Sequence, residues 1–131
     1  MCVLRAIGKE FTVDDFLRES YFLPCLVYRK GERRLKDALW KVNGFNVSVG
    51  EAELGDLEGQ VKDAILFLQR HRSELQKLKK HAGVDRVFLD FALVQENASV
   101  FSTSLPAELL SLAGDIGVDI ELTYFPPSDY E

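Results

Sequence analysis

The stretch Asp56–His81, DLEGQVKDAILFLQRHRSELQKLKKH, decides the fold. Its apolar residues Leu57, Val61, Ala64, Ile65, Leu68, Leu75 and Leu78 return at helical spacing, which predicts one long helix with an apolar stripe. Asp56 and Glu58 at its start and Lys77, Lys79, Lys80 and His81 at its end suit the helix dipole, and Gly83 suits a left-handed cap. Glu58–Lys62 and Arg70–Glu74 are spaced i,i+4, for about 0.2–0.5 kcal/mol each. A helix of this length in a small chain needs a sheet to lie on.

The flanking segments supply that sheet. Cys2–Ile7 reads as a strand, and Thr12 as the N-cap of a short helix through Ser20 with Asp14 and Asp15 in its first turn. Leu23–Arg29 reads as a strand or extended segment, with Pro24 marking an edge or an irregular start. Arg29–Lys36, RKGERRLK, reads as a turn around Gly31. Leu39–Val42 and Phe45–Val49 read as two short strands, joined by Asn43-Gly44 as a tight hairpin. Val87–Val94 is apolar on nearly both faces, as a central strand would be, with Ser99–Thr103 pairing next. Pro106 opens a short helix to about Ala113, and Val118–Phe125 alternates cleanly as a strand, Val118, Ile120, Leu122 and Tyr124 inward and Asp119, Glu121 and Thr123 outward. Pro126-Pro127 stops it, leaving residues 126–131 as a loose tail. The whole predicts a single α+β domain over residues 1–131. It has one mixed or mainly antiparallel sheet, with one long and two short helices packed mainly on one face.

Length and composition agree. At 131 residues, 47% apolar and 28% charged, the chain can bury a real core. No apolar run is long enough to span a membrane, and the N-terminus has no signal pattern. Cys2 and Cys25 read as reduced, small apolar strand residues, which places the protein in the cytoplasm. The net charge of −5 is unevenly spread: every Lys and Arg lies at or before Arg86, and eight acids and no base follow it. An acidic surface on the C-terminal third is expected, either as a solvated face or as a docking surface for a basic partner.

Signatures of hydrolases, nucleotide sites and metal sites are absent, and no cofactor or metal is predicted. His71 and His81 stand about 15 Å apart along one helix, too far to share an ion. Asp119 and Glu121 share a strand face about 7 Å apart, a weak carboxylate pair. Asp90 is odder: a carboxylate in an apolar strand needs a partner such as Arg5 or Arg86. The basic segment Arg29–Lys41, with Tyr28 and Trp40, has the ingredients to grip single-stranded nucleic acid. An acidic chain without paired stacking aromatics on a central strand favours a solvated loop that pairs with the acidic third. Leu66 falls opposite the apolar stripe, and Leu66–Phe67 makes the helix apolar nearly all round. Either another element or a second subunit covers that turn, or Leu66 is a singly exposed leucine.

Through most of its length the chain resembles a family of small bacterial proteins known only as a domain of unknown function. Some members are noted among candidate immunity proteins of polymorphic toxin systems. The resemblance runs through the opening strand and FTVDDFL, YRKGE at Tyr28–Glu32, FNVSV, DLEGQVKDAILFL and LPAELLSLAGDIGVDIELTYF, carried by their order and spacing. It implies an α+β domain and brings no catalytic residues. The favoured expectation is a non-enzymatic protein-binding domain. It would be an immunity-type inhibitor presenting Asp115, Asp119 and Glu121 to a basic toxin, with Leu66 and Phe67 as a second contact or homodimer surface. The alternative is a small enzyme or ligand-binding domain using Asp90 or the Asp119/Glu121 face.

Overall fold

The computed structural model describes residues 1–127. Seven strands and four helices follow in the order β1 (Cys2–Gly8), α1 (Val13–Glu19), β2 (Leu26–Tyr28), β3 (Arg33–Leu35), β4 (Ala38–Leu39), β5 (Asn43–Ser48), α2 (Leu57–Arg70), α3 (Arg72–Lys80), β6 (Arg86–Val94), α4 (Ala107–Ile116) and β7 (Asp119–Phe125). Five strands form one sheet in the order β2-β5-β1-β6-β7. Strand β1 is antiparallel to both neighbours, β2 is antiparallel to β5, and β7 is parallel to β6. The parallel pair needs a crossover, and the segment carrying α4 supplies it. The fold is α+β with a mixed sheet, as predicted. No helix among the described residues is long and apolar enough to cross a membrane.

The alternation of CVLRAIG in β1 explains the layering. Leu4 and Ala6 face the helices, and the register places Val47 and Leu89 beside Leu4, and Phe45 and Val87 beside Ala6. These residues share one core with Phe16 of α1, Val61, Ala64 and Leu68 of α2, Leu75 and Leu78 of α3, and Leu109 and Ala113 of α4. All four helices therefore cover one face of the sheet. Stacked rings, Phe16 on Phe45 and Phe22 on Phe67, fill the side under β5. Gln60 is fully buried for a specific reason. The pairing of β1 with β6 ends at Phe91, and Gln60 takes over at the next residue. Its Oε1 accepts from the Ala92 N–H and its Nε2 donates to the Ala92 carbonyl, each at 2.9 Å.

Four local expectations change. The long helix is divided at His71 into α2 and α3, so there are two helices where one was expected. His71 leaves helical geometry (φ −110°, ψ 18°), its ring packs on Phe67 and Phe22, and its Nδ1 lies 2.8 Å from the Tyr21 hydroxyl. Contacts from a segment fifty residues away hold the bend. Asn43-Gly44 is not a turn but the start of β5. Gly44 is required there because a Cβ would stand 2.5 Å from the Ala6 carbonyl and 2.6 Å from the Tyr28 ring. The hairpin lies earlier, as β3–β4, turning at Lys36 with φ 40° and forming a separate two-stranded sheet. Ser99–Thr103 forms no strand. Cys25 is exposed and precedes β2, while Cys2 is buried in β1; both are free. Of the expected tail, residues 128–131 lie outside the described residues.

Leu68→Ala is expected to cost about 2–5 kcal/mol through lost burial and a cavity. Gln60→Leu is expected to cost about 1–3 kcal/mol by orphaning the Ala92 N–H, while the Ala92 carbonyl keeps the Gly55 N–H. Urea denaturation checks both, and unchanged midpoints would show that neither group carries the helix layer.

Candidate functional site

The sheet face away from the helices carries the polar chemistry. Here β1 presents Val3, Arg5 and Ile7, flanked by Asn46 of β5 and by Phe88 and Asp90 of β6. Asp90 is held from both sides: Arg5 Nε donates to Oδ2 at 3.1 Å and Thr123 Oγ1 to Oδ1 at 2.5 Å. On the other side of Arg5, Nη1 meets the Asn46 amide at 2.7 Å, so that amide must offer its oxygen. The Asn46 Nδ2 then donates to the Tyr28 hydroxyl at 3.1 Å and to the Phe45 carbonyl at 3.2 Å. Tyr28–Asn46–Arg5–Asp90–Thr123 is thus a hydrogen-bonded chain with one side chain from each of the five strands.

The hairpin β3–β4 stands over this chain. Its base is closed by Gly31 N–H to the Trp40 carbonyl and Trp40 N–H to the Glu32 carbonyl, both at 2.8 Å. Asn43 ties the base to the body: Oδ1 accepts from the Lys30 N–H at 2.7 Å and Nδ2 donates to the Phe11 carbonyl at 3.0 Å. Arg29 grips Asp14 with two nitrogens, at 2.9 and 2.6 Å. That fork and the nearby guanidinium charge hold the Asp14 carboxyl below its ordinary range. Above the sheet, Trp40 stacks on Tyr28 with centroids 4.1 Å apart, and the Arg34 guanidinium lies 4.9 Å from the Trp40 ring centre. Between hairpin and sheet is a cleft of about 820 Å³, whose walls include Arg5, Tyr28, Arg34, Trp40, Asp90 and Glu121.

Four of the acids in the C-terminal third, Asp90, Asp115, Asp119 and Glu121, are paired with arginines. Arg86 reaches both Asp119 (3.0 Å) and Glu121 (3.3 Å), and Arg72 pairs with Asp115. The partners of the C-terminal acids are therefore Arg5, Arg72 and Arg86, not the basic loop, whose Arg29 and Lys30 pair with Asp14, Glu32 and Glu10. Phe67 is buried against Phe22, so the segment after α1 covers half of the Leu66–Phe67 turn. Leu66 stays 58% exposed beside a groove lined also by Tyr21 and Leu23. Asp90 finds Arg5, and Glu121 joins it in the cleft wall, whereas Asp115, Leu66 and Phe67 do not line it. Sequence reasoning missed Asn46 and Thr123, and noticed Arg34 only as part of the basic run. Tyr28 and Trp40 drew notice only as neighbours of a basic run.

Both Asp90 oxygens are committed to donors, and Glu121 is committed to Arg86. Burial pushes the Tyr28 hydroxyl up to about 12 and the Cys2 thiol likewise to about 12, so neither ionises near neutrality. No trio of His, Cys, Asp or Glu among the described residues could hold a metal ion. Arg5→Leu leaves the mostly buried Asp90 carboxylate without its cation and is expected to cost about 1–3 kcal/mol. Arg5→Leu combined with Asp90→Leu is expected to recover part of that loss. A double-mutant cycle in urea measures the coupling, and strict additivity would show that the pair is incidental.

Comparison with curated proteins and with solved structures returns no match. A family model does match, over residues 1–125, and the chain belongs to that family, described as a domain of unknown function (DUF4279).

Proposed function

We propose that this domain is a non-enzymatic protein-binding module that meets its partner through the β3–β4 hairpin and the cleft beneath it. One observation carries this: Arg33, Arg34, Lys36 and Lys41 form no ion pair among the described residues, while Asp115, Asp119 and Glu121 do. The same hairpin exposes Leu35 (70%) and Leu39 (57%). Uncompensated cations beside exposed leucines on a projecting arm fit a partner with an acidic patch around an apolar recess. The basic run thus takes the role first expected of the acidic third. The resemblance to candidate immunity proteins favours a toxin as the partner and makes the module an immunity-type inhibitor. Two free cysteines fit a reducing, cytoplasmic setting. An enzyme using Asp90 or the Asp119/Glu121 face is less well supported, because each carboxylate already accepts from an arginine. A nucleic-acid grip is also disfavoured, since Tyr28 and Arg34 take up the Trp40 ring.

A partner captured on the immobilised chain provides the test, with two charge variants compared by association kinetics. Reversing the arm (Arg33→Glu, Arg34→Glu, Lys41→Glu) is expected to slow association at least about tenfold and to flatten its salt dependence. Neutralising the acids (Asp115→Asn, Asp119→Asn, Glu121→Gln) is expected to leave both nearly unchanged. The reverse pattern would return the contact to the acidic third.

A further inference from the structure

The cleft itself holds a group that the domain leaves unused. Tyr28 is only 3% exposed, and its ring lines the cleft. Its oxygen accepts from Asn46 Nδ2 at 3.1 Å, because Arg5 claims the Asn46 oxygen, and Arg5 also donates toward it. With Asn46 so turned, no acceptor among the described residues receives the Tyr28 proton, and burial keeps that proton in place at neutral pH. A buried donor without an acceptor costs free energy that an arriving acceptor would recover.

The charges around it decide which acceptor. Asp90 is offset by Arg5, and Glu121 by Arg86. What remains in the cleft wall is Arg34 and Lys41 against Asp37. Arg34 and Tyr28 line the same cleft, the Arg34 guanidinium 4.9 Å from the Trp40 ring that stacks on Tyr28. Trp40, Ile7, Leu39 and Val42 supply apolar wall between these polar groups. About 820 Å³ is room for several side chains.

We propose that the cleft receives a side-chain carboxylate from an extended acidic segment of the partner, recognised by the Tyr28 hydroxyl and the Arg34 guanidinium. This rests on the hairpin being the binding arm and adds what it binds. Tyr28 donates to one carboxylate oxygen, Arg34 pairs with the other, and apolar neighbours of the acidic residue lie against Leu39 and Val42.

Trp40 is the only tryptophan in the chain, so its fluorescence reports the cleft directly. The experiment titrates the full chain with an end-capped peptide of alternating Glu and Leu, with the Gln counterpart and with free glutarate. The expected result is a saturable Trp40 change with the Glu peptide alone. Tyr28→Phe, which keeps the ring against Trp40, and Arg34→Gln, at an exposed position, should each weaken binding about tenfold or more. The proposal is overturned if the Gln peptide or glutarate binds as well as the Glu peptide, if nothing saturates, or if the folded variants bind like the parent. Should the partner still depend on the arm while the Glu peptide fails, the binding module stands and only the carboxylate recognition falls.

Discussion

The contact between Arg5 and Asp90 orders the open face of the sheet. Arg5 stands on the central strand and reaches both ways, to Asp90 on β6 and to the Asn46 oxygen on β5. Its partner carboxylate keeps only 12% of its side-chain surface in water and would be costly alone. Such a pair adds little net stability, because desolvation offsets most of the attraction. Its physical use is alignment: a one-residue slip of β1 would turn Arg5 into the apolar core and Leu4 out to solvent. With Arg5 in place, Asn46 has one orientation and Tyr28 a fixed position. Trp40, stacked on Tyr28, then brings the hairpin over the sheet.

Layer assignment was legible in the sequence, because a period of 3.6 in Asp56–His81 and a period of 2 in the strands each demand a partner surface. Connections were less legible. Asn43-Gly44 carries the signal of a tight turn, yet the glycine is there to admit the Tyr28 ring, which only the finished sheet reveals. The bend at His71 depends on Tyr21 and Phe22, and nothing within the helix announces it. The site was half legible. Asp90 stood out as a carboxylate in an apolar strand, and Arg5 was named as a partner. Asn46 and Thr123 are ordinary strand residues whose role comes from register with Arg5 and Asp90. The lopsided charge of the sequence misled in a physical way, since Arg72 and Arg86 reach acids 43 and 33 residues ahead of them.

Pairing leaves a different electrostatic shape from the one composition suggests. The chain carries −5 overall, but a short arm from Arg33 to Lys41 retains cations that the body does not neutralise. On the proposed reading, a basic arm with exposed leucines would steer an acidic partner toward the cleft. The family assignment names no activity, and Asp90 and Glu121 in the cleft already accept from arginines.

The central claim is that the partner sits on the hairpin and the open sheet face. Backbone and indole amide shifts recorded on the isotope-labelled chain, free and with its captured partner, test it most directly. The account predicts the largest changes at Arg33–Lys41, the Trp40 indole, Arg5, Tyr28 and Asp90. Changes confined to Glu108, Asp115 and Asp119, or to Tyr21, Leu23 and Leu66, with the hairpin unmoved, would contradict it.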